Sequence, residues 1–152
     1  MEEQMKKYLC TPAHPMYLNC FVCGIQNSRG MNTRFYTDGD GVRAIFTADE
    51  TLSGYRNLIH GGIISTLLDG AIIWATYAAM GRLGVTAELT VRFLNPCPID
   101  KECIIIGKML KEMSRLWIAE GILIDKEGTL YAKAVGKVVP EQNKCRTNCN
   151  RK

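Results

Sequence analysis

Between Ile63 and Met80 the chain holds a single charged residue, Asp69, among aliphatic, aromatic and small side chains that leave no hydrophilic stripe. A helix made from this run is apolar nearly all round, and such a helix is buried. Length alone would suit a bilayer span, which takes about 20 apolar residues. Asp69, Gly70 and the paired glycines just before the run, the lack of basic anchors beside its start and the strand-like segments on either side favour a core helix instead. Its entry, Ile59-His60-Gly61-Gly62, contains none of the usual capping residues, so the expectation is an uncapped start. Its exit, Gly81-Arg82-Leu83-Gly84, supplies the glycine and cation that commonly end a helix.

On either side of the helix the pattern changes to period two. Met31 to Tyr36 reads as a short strand, Asp38-Gly39-Asp40-Gly41 as a hairpin turn and Val42 to Ala48 as its partner. Asp49 to Ile59 is a loop. After the helix, Ala87, Leu89, Val91 and Phe93 alternate with Thr86, Glu88, Thr90 and Arg92, which assigns the first set to the core face. Asn95-Pro96-Cys97-Pro98 interrupts the pattern. Strands then follow over Cys103 to Met113, Leu116 to Ile124 and Thr129 to Val139, with turns near Ser114 and at Asp125-Lys126-Glu127-Gly128. Gly107, Gly121 and Gly136 fall near the middles of these three strands. Glycine weakens a strand interior unless the sheet bends or another backbone comes close, so the sheet is expected to be strongly curved and pressed onto the helix. The order β-β-α-β-β-β-β gives an α+β domain over residues 31–140, one long central helix wrapped by a curved antiparallel β-sheet. An irregular Cys-containing segment, residues 1–30, precedes it, and a polar tail, residues 141–152, follows.

Composition narrows the function classes. With 152 residues, 47% hydrophobic and 22% charged, the chain has material for one domain with a real core and no room for a second. The net charge of +4 comes without a dense Lys/Arg run or interleaved aromatics, which argues against nucleic acid and leaves a mild field suited to an anionic small molecule. Met1 to Lys7 carries acidic residues and no apolar core of signal-peptide length, so the expected location is cytoplasmic, with no membrane partner. Seven cysteines, an odd number, then point to reduced thiols, a metal or both rather than a disulfide framework. Cys20-Phe21-Val22-Cys23 has zinc-knuckle spacing, and Cys10 with His14, or Cys145 with Cys149, would complete four ligands. Such a zinc would be structural, because it lies outside the site argued next. Cys97 and Cys103 read as packing residues.

The helix itself carries the candidate chemistry. Unpaired amides at the positive end of a helix dipole form a site for an oxyanion, and glycine lets a ligand come close. A lone carboxylate in an apolar helix is costly enough to suggest function, although a bond to Ser65 one turn earlier would also satisfy it. Asp69 lies eight residues after Gly61, about 12 Å along the axis, so one helix does not easily bring both groups to one carbon. Two copies packed side by side and antiparallel would do so, which makes the expected unit a homodimer with two equivalent sites.

His60-Gly61-Gly62, Asp69 nine residues after the histidine, and the strand beginning Thr86-Ala87-Glu88 resemble the hot-dog thioesterases of the phenylacetate-pathway (PaaI-like) type, over roughly residues 20–139. The resemblance implies a hot-dog fold, homodimers or dimers of dimers, and hydrolysis of acyl-coenzyme A thioesters at the subunit interface with no cofactor required for catalysis. It makes Asp69 the general base or nucleophile, Gly61 N–H an oxyanion donor and Thr86 the residue orienting the attacking water. His60 either positions the thioester or holds the loop. Some relatives have an Asn six residues before the histidine, where this chain has Gly54; Asn57 is close but out of register. Gly62, Asn57, Ser65, Arg82 and Arg92 are the candidate substrate-binding residues, with Lys108 and Arg115 as further cations for the coenzyme A phosphates. Trp74, Tyr77 and Met80 read as core or acyl-pocket residues. The alternative on the same fold is a non-catalytic module that binds or senses acyl-coenzyme A and does not need Asp69.

Overall fold

The computed structural model describes residues 17–142. Its elements are β1 (Tyr36–Asp38), β2 (Gly41–Thr47), a 3-10 turn (Glu50–Leu52), α1 (Gly61–Met80), β3 (Gly84–Phe93), β4 (Glu102–Met113), β5 (Leu116–Asp125) and β6 (Leu130–Pro140). The strands form one antiparallel sheet in the order β1-β2-β4-β5-β6-β3. Its concave face wraps α1, which is the hot-dog arrangement. The period-two reading finds every long strand and misplaces only the first. Strand pairing begins at Tyr36, and Thr33 and Phe35 are buried in the non-strand segment before it.

By length and composition α1 could cross a bilayer. In this fold the sheet takes that role: Leu67, Leu68, Ala71 and Ile72 are wholly buried against it. Contact between α1 and the sheet is very close where the strand glycines lie. A Cβ on Gly107 would collide with the Ala71 carbonyl, and one on Gly136 would stand 2.8 Å from Ile72 Cγ2. Gly121, paired directly with Gly107 across β4 and β5, faces the Leu68 carbonyl at 3.2 Å from its would-be Cβ. A larger residue would push the helix off the sheet, which explains glycine where a strand would otherwise be weakened.

Residues before β1 cover α1 from another side. Val22 and the Phe35 ring pack at Gly70, and the Tyr17 and Trp74 rings meet with centroids 5.1 Å apart. At the hairpin between β5 and β6, the carboxylate of buried Asp125 accepts from Tyr131 Oη at 2.8 Å and pairs with Lys101 Nζ at 2.7 Å. Lys101 therefore holds that carboxyl well below the usual carboxylate range.

Candidate active site

Contrary to the uncapped start expected from the sequence, α1 has a cap, and the cap is His60. Its Nδ1 accepts from the Gly62 N–H at 2.9 Å, so the neutral ring carries its proton on Nε2. Ile63 and Ile64 donate to the His60 carbonyl. Of the four first-turn amides, only that of Gly61 donates to no described residue. The oxyanion-type site is therefore one amide wide, and Gly62 contributes the absence of a side chain rather than its N–H. A Cβ on Gly62 would meet His60 Nδ1 at 2.9 Å.

Asp69 sits half-buried two turns further on, and its Oδ1 accepts from Thr86 Oγ1 at 2.7 Å. Ser65, the neighbour that could have satisfied it, donates instead to the Gly61 carbonyl at 2.9 Å. Thr86 reaches Asp69 because β3 has a bulge. Thr86 pairs with Val138, whose side chain is wholly buried, and the register shifts before Glu88. The bulge turns Ala87 outward and restores Leu89, Val91 and Phe93 to the inner face, so strict alternation assigned Ala87 and Thr86 to the wrong sides.

Beside Gly61 opens an apolar recess of about 320 Å³, lined by Leu58, Ile59, Ile64, Phe93, Leu94, Asn95, Pro96 and Cys97. Phe93, half-exposed, lies over Gly61: a Cβ there would be 3.3 Å from the ring. A Cβ on Gly54 would stand 3.0 Å from His60 Cα and 3.2 Å from its ring. Asn57, with left-handed backbone at φ 60°, belongs instead to a hollow of about 580 Å³ that also presents Asp49, Glu50 and Asp100. Three carboxylates disfavour an anion there.

The candidate cations are scattered. Arg82 donates to the Glu141 carbonyl at 3.2 Å and lies over the Trp117 ring. Arg92 is exposed on the outer face of the sheet, opposite Lys133. Lys108 is paired with Asp40 at 2.8 Å. Arg115 lies exposed at the turn between β4 and β5.

Trp74 is buried and meets Tyr77 edge-to-face, with Met80 packed beside the core. Cys20 is half-buried with buried Cys23 beside it, and the Cys23 thiol lowers the Cys20 pKa to about 5 against the opposing effects of burial and of the Asp69 charge. Among the described residues no group of three or more His, Cys, Asp or Glu is placed to hold a metal ion. Cys10, His14, Cys145 and Cys149 lie outside the described residues.

Comparison with known proteins follows the same lines. Residues 56–132 match the family model described as thioesterase superfamily. The acyl-coenzyme A thioesterase THEM4 of Bos taurus is 28% identical over 129 residues, covering 81% of this chain and 53% of that protein. Among solved structures, the Escherichia coli PaaI protein from the phenylacetic acid degradation operon superposes with a TM-score of 0.73 at 18% identity, over 86% of this chain and 91% of that one. A hypothetical thioesterase of Streptococcus pneumoniae, solved with coenzyme A, gives 0.65 at 22% identity, over 72% and 86%. The chain spans between 40% and 59% of the length of the curated relatives it matches.

Proposed function

The chain belongs to the thioesterase superfamily, and from that membership we propose that it hydrolyses acyl-coenzyme A thioesters to free acid and coenzyme A, in sites shared by two subunits. The observation that carries this reading is the 2.7 Å bond from Thr86 to Asp69, a carboxylate held in a fixed direction on an otherwise apolar helix. Relatives supply the substrate class: one is named an acyl-coenzyme A thioesterase, and a neighbour of the same fold was solved with coenzyme A.

Asp69 accepts a proton from water as the water oxygen attacks the thioester carbonyl carbon. Thr86, whose hydroxyl donates a hydrogen bond to Asp69, keeps its lone pairs to receive the other water hydrogen. Negative charge growing on the carbonyl oxygen is met by the Gly61 N–H of the partner subunit at the positive end of its helix. Collapse of the tetrahedral species breaks the C–S bond, and the departing sulfur takes the proton held by Asp69. The acyl group occupies the recess over which Phe93 lies. The dimer reading is supported by the long outer edge of β3, which pairs with β6 on one side and with no described strand on the other. Two such edges joined antiparallel would bring the two helices side by side.

The test is hydrolysis of a panel of short, long and aromatic acyl-coenzyme A thioesters by the wild type, Asp69→Asn and Gly61→Val. Asp69→Asn is expected to fold and to lose at least about a hundredfold in turnover, and Gly61→Val to lose activity because its side chain fills the approach to the Gly61 N–H beside the Phe93 ring. Mixing the two inactive variants and allowing subunit exchange is expected to restore about a quarter of wild-type activity, since one of the two sites in each mixed dimer is intact. A folded Asp69→Asn chain that still turns over near normally removes Asp69 from the reaction. Mixed chains that stay inactive place both groups in one subunit. Binding without release of free thiol by the wild type would favour a sensing module.

A further inference from the structure

Two thiols that take no part in the proposed hydrolysis lie side by side, and one of them, Cys97, is in the lining of the recess. Cys97 Sγ and Cys103 Sγ are 3.5 Å apart, with the two residues 2% and 0% exposed. Cys103 is locked in β4, opposite Phe46 on β2 and Asp125 on β5. Cys97 belongs to the loop between β3 and β4 and lines the recess beside Gly61, which offers a small solute a route to Cys97, the outer thiol of the two. This loop is laced to the segment that leads into α1. The Ile59 N–H donates to the Cys97 carbonyl at 2.8 Å, the Ile99 N–H to the Asn57 carbonyl at 2.9 Å, and Leu58 and Pro98 form an isolated bridge. Ile59 is followed directly by His60 and Gly61, so the position of Cys97 sets the position of the unpaired amide.

We propose that Cys97 and Cys103 are a site of reversible oxidation by hydrogen peroxide, closing an intramolecular disulfide that displaces the Gly61 amide and switches the site off. One thiol attacks the peroxide, breaking the O–O bond and yielding a sulfenic acid and water. The other thiol attacks that sulfur, forming the S–S bond and expelling a second water, so two thiols are oxidised and one hydrogen peroxide is reduced. The Cys97 thiol lowers the pKa of Cys103 by hydrogen bonding, against the opposing effects of burial and of the Asp125 carboxylate. A disulfide holds its sulfurs about 2.05 Å apart, so closure moves them together by about 1.5 Å. Because Cys103 is held within the sheet, the loop carrying Cys97 makes most of this movement and draws Ile59 with it. A misplacement of about 1 Å at a reaction centre costs on the order of a hundredfold in rate.

The effect on turnover rests on the thioesterase reading; formation of the bond does not. The full chain is treated with hydrogen peroxide under native conditions, alkylated, digested with trypsin without reduction and mapped. Cleavage after Lys101 separates the two cysteines, so a Cys97–Cys103 bond appears as a linked pair of peptides. Expected are that linked pair, altered hydrogen exchange over residues 57–62, a fall in turnover of about tenfold or more, and recovery of all three on adding dithiothreitol. Cys103→Ser is expected to keep its basal turnover and to resist the same peroxide dose. Absence of the linked pair while other cysteines oxidise, a linked chain with unchanged exchange over 57–62, or equal peroxide sensitivity in Cys103→Ser each overturns the proposal. If Cys103→Ser does not fold, peptide mapping and exchange on the wild type decide by themselves. They also decide if the wild type hydrolyses no thioester.

Discussion

A single hydroxyl separates Asp69 from an ordinary half-buried carboxylate. Thr86→Val removes the hydroxyl that holds Asp69 and is expected to lower turnover by about tenfold or more; hydrogen bonds to charged groups contribute about 1.5–3 kcal/mol, so the melting temperature should also fall by several degrees. Thr86→Ser should recover most of the loss, and equal rates for the valine and wild-type chains would show that Asp69 needs no such support. Asp69 could be picked out of the sequence because a charge stands out against an apolar run. Thr86 could be found only through resemblance to a family, since one extra residue in β3 turns it inward against the alternation around it. Cys20 gives a second test at this scale. With its pKa lowered to about 5 by Cys23, it is largely thiolate at neutral pH. Iodoacetamide should modify Cys20 ahead of the buried Cys23, Cys97 and Cys103, with a rate that rises through about pH 5 and is flat by pH 7. Peptide mapping of a pH series checks this, and a rise centred near pH 8–9 would contradict it.

At the scale of elements, α1 is buried by strands that have given up side chains to come near it. Gly107→Ala is expected to destabilise the protein by about 1–3 kcal/mol, because the added methyl meets the Ala71 carbonyl and both backbones are held by their own hydrogen bonds. For a chain of this size that is a fall in melting temperature of several degrees, readable by calorimetry; an unchanged value would mean the helix can ride up from the sheet at little cost. The three mid-strand glycines announced this contact in the sequence, since each is costly unless something lies against it. The helix entry was less legible. Histidine is not among the common capping residues, and its ring closes onto the Gly62 amide only because Gly54 leaves room on its other side and the His60 N–H is held by the Leu52 carbonyl. Where the cap sits decides which amide stays available, so this local detail bears directly on the chemistry.

For the molecule as a whole, the sheet ends differently on its two sides. One margin is β1, a three-residue strand too short to recruit a partner, and the other is the ten-residue β3 with its outer edge open. If the reaction centre is divided between subunits, specific activity should fall as the enzyme is diluted through its dimer dissociation constant, in step with the mass measured by light scattering. Activity per chain that stays constant while the measured mass halves would rule out a shared site. What the sequence by itself determined is the content of the fold: a helix with no wet face, strands of alternating polarity around it, glycines where the two meet, and one carboxylate that stands out against an apolar run. These follow from periodicity and from the cost of burying charge, which act over a few neighbouring residues. Only the tertiary structure decided which groups face one another: the bulge that turns Thr86 to Asp69, the His60 ring that takes one amide and leaves another, and the loop that brings Cys97 to Cys103. Each joins parts of the chain whose relation depends on register and on the packing of distant segments, and no local pattern of polar and apolar residues encodes a register shift of one residue.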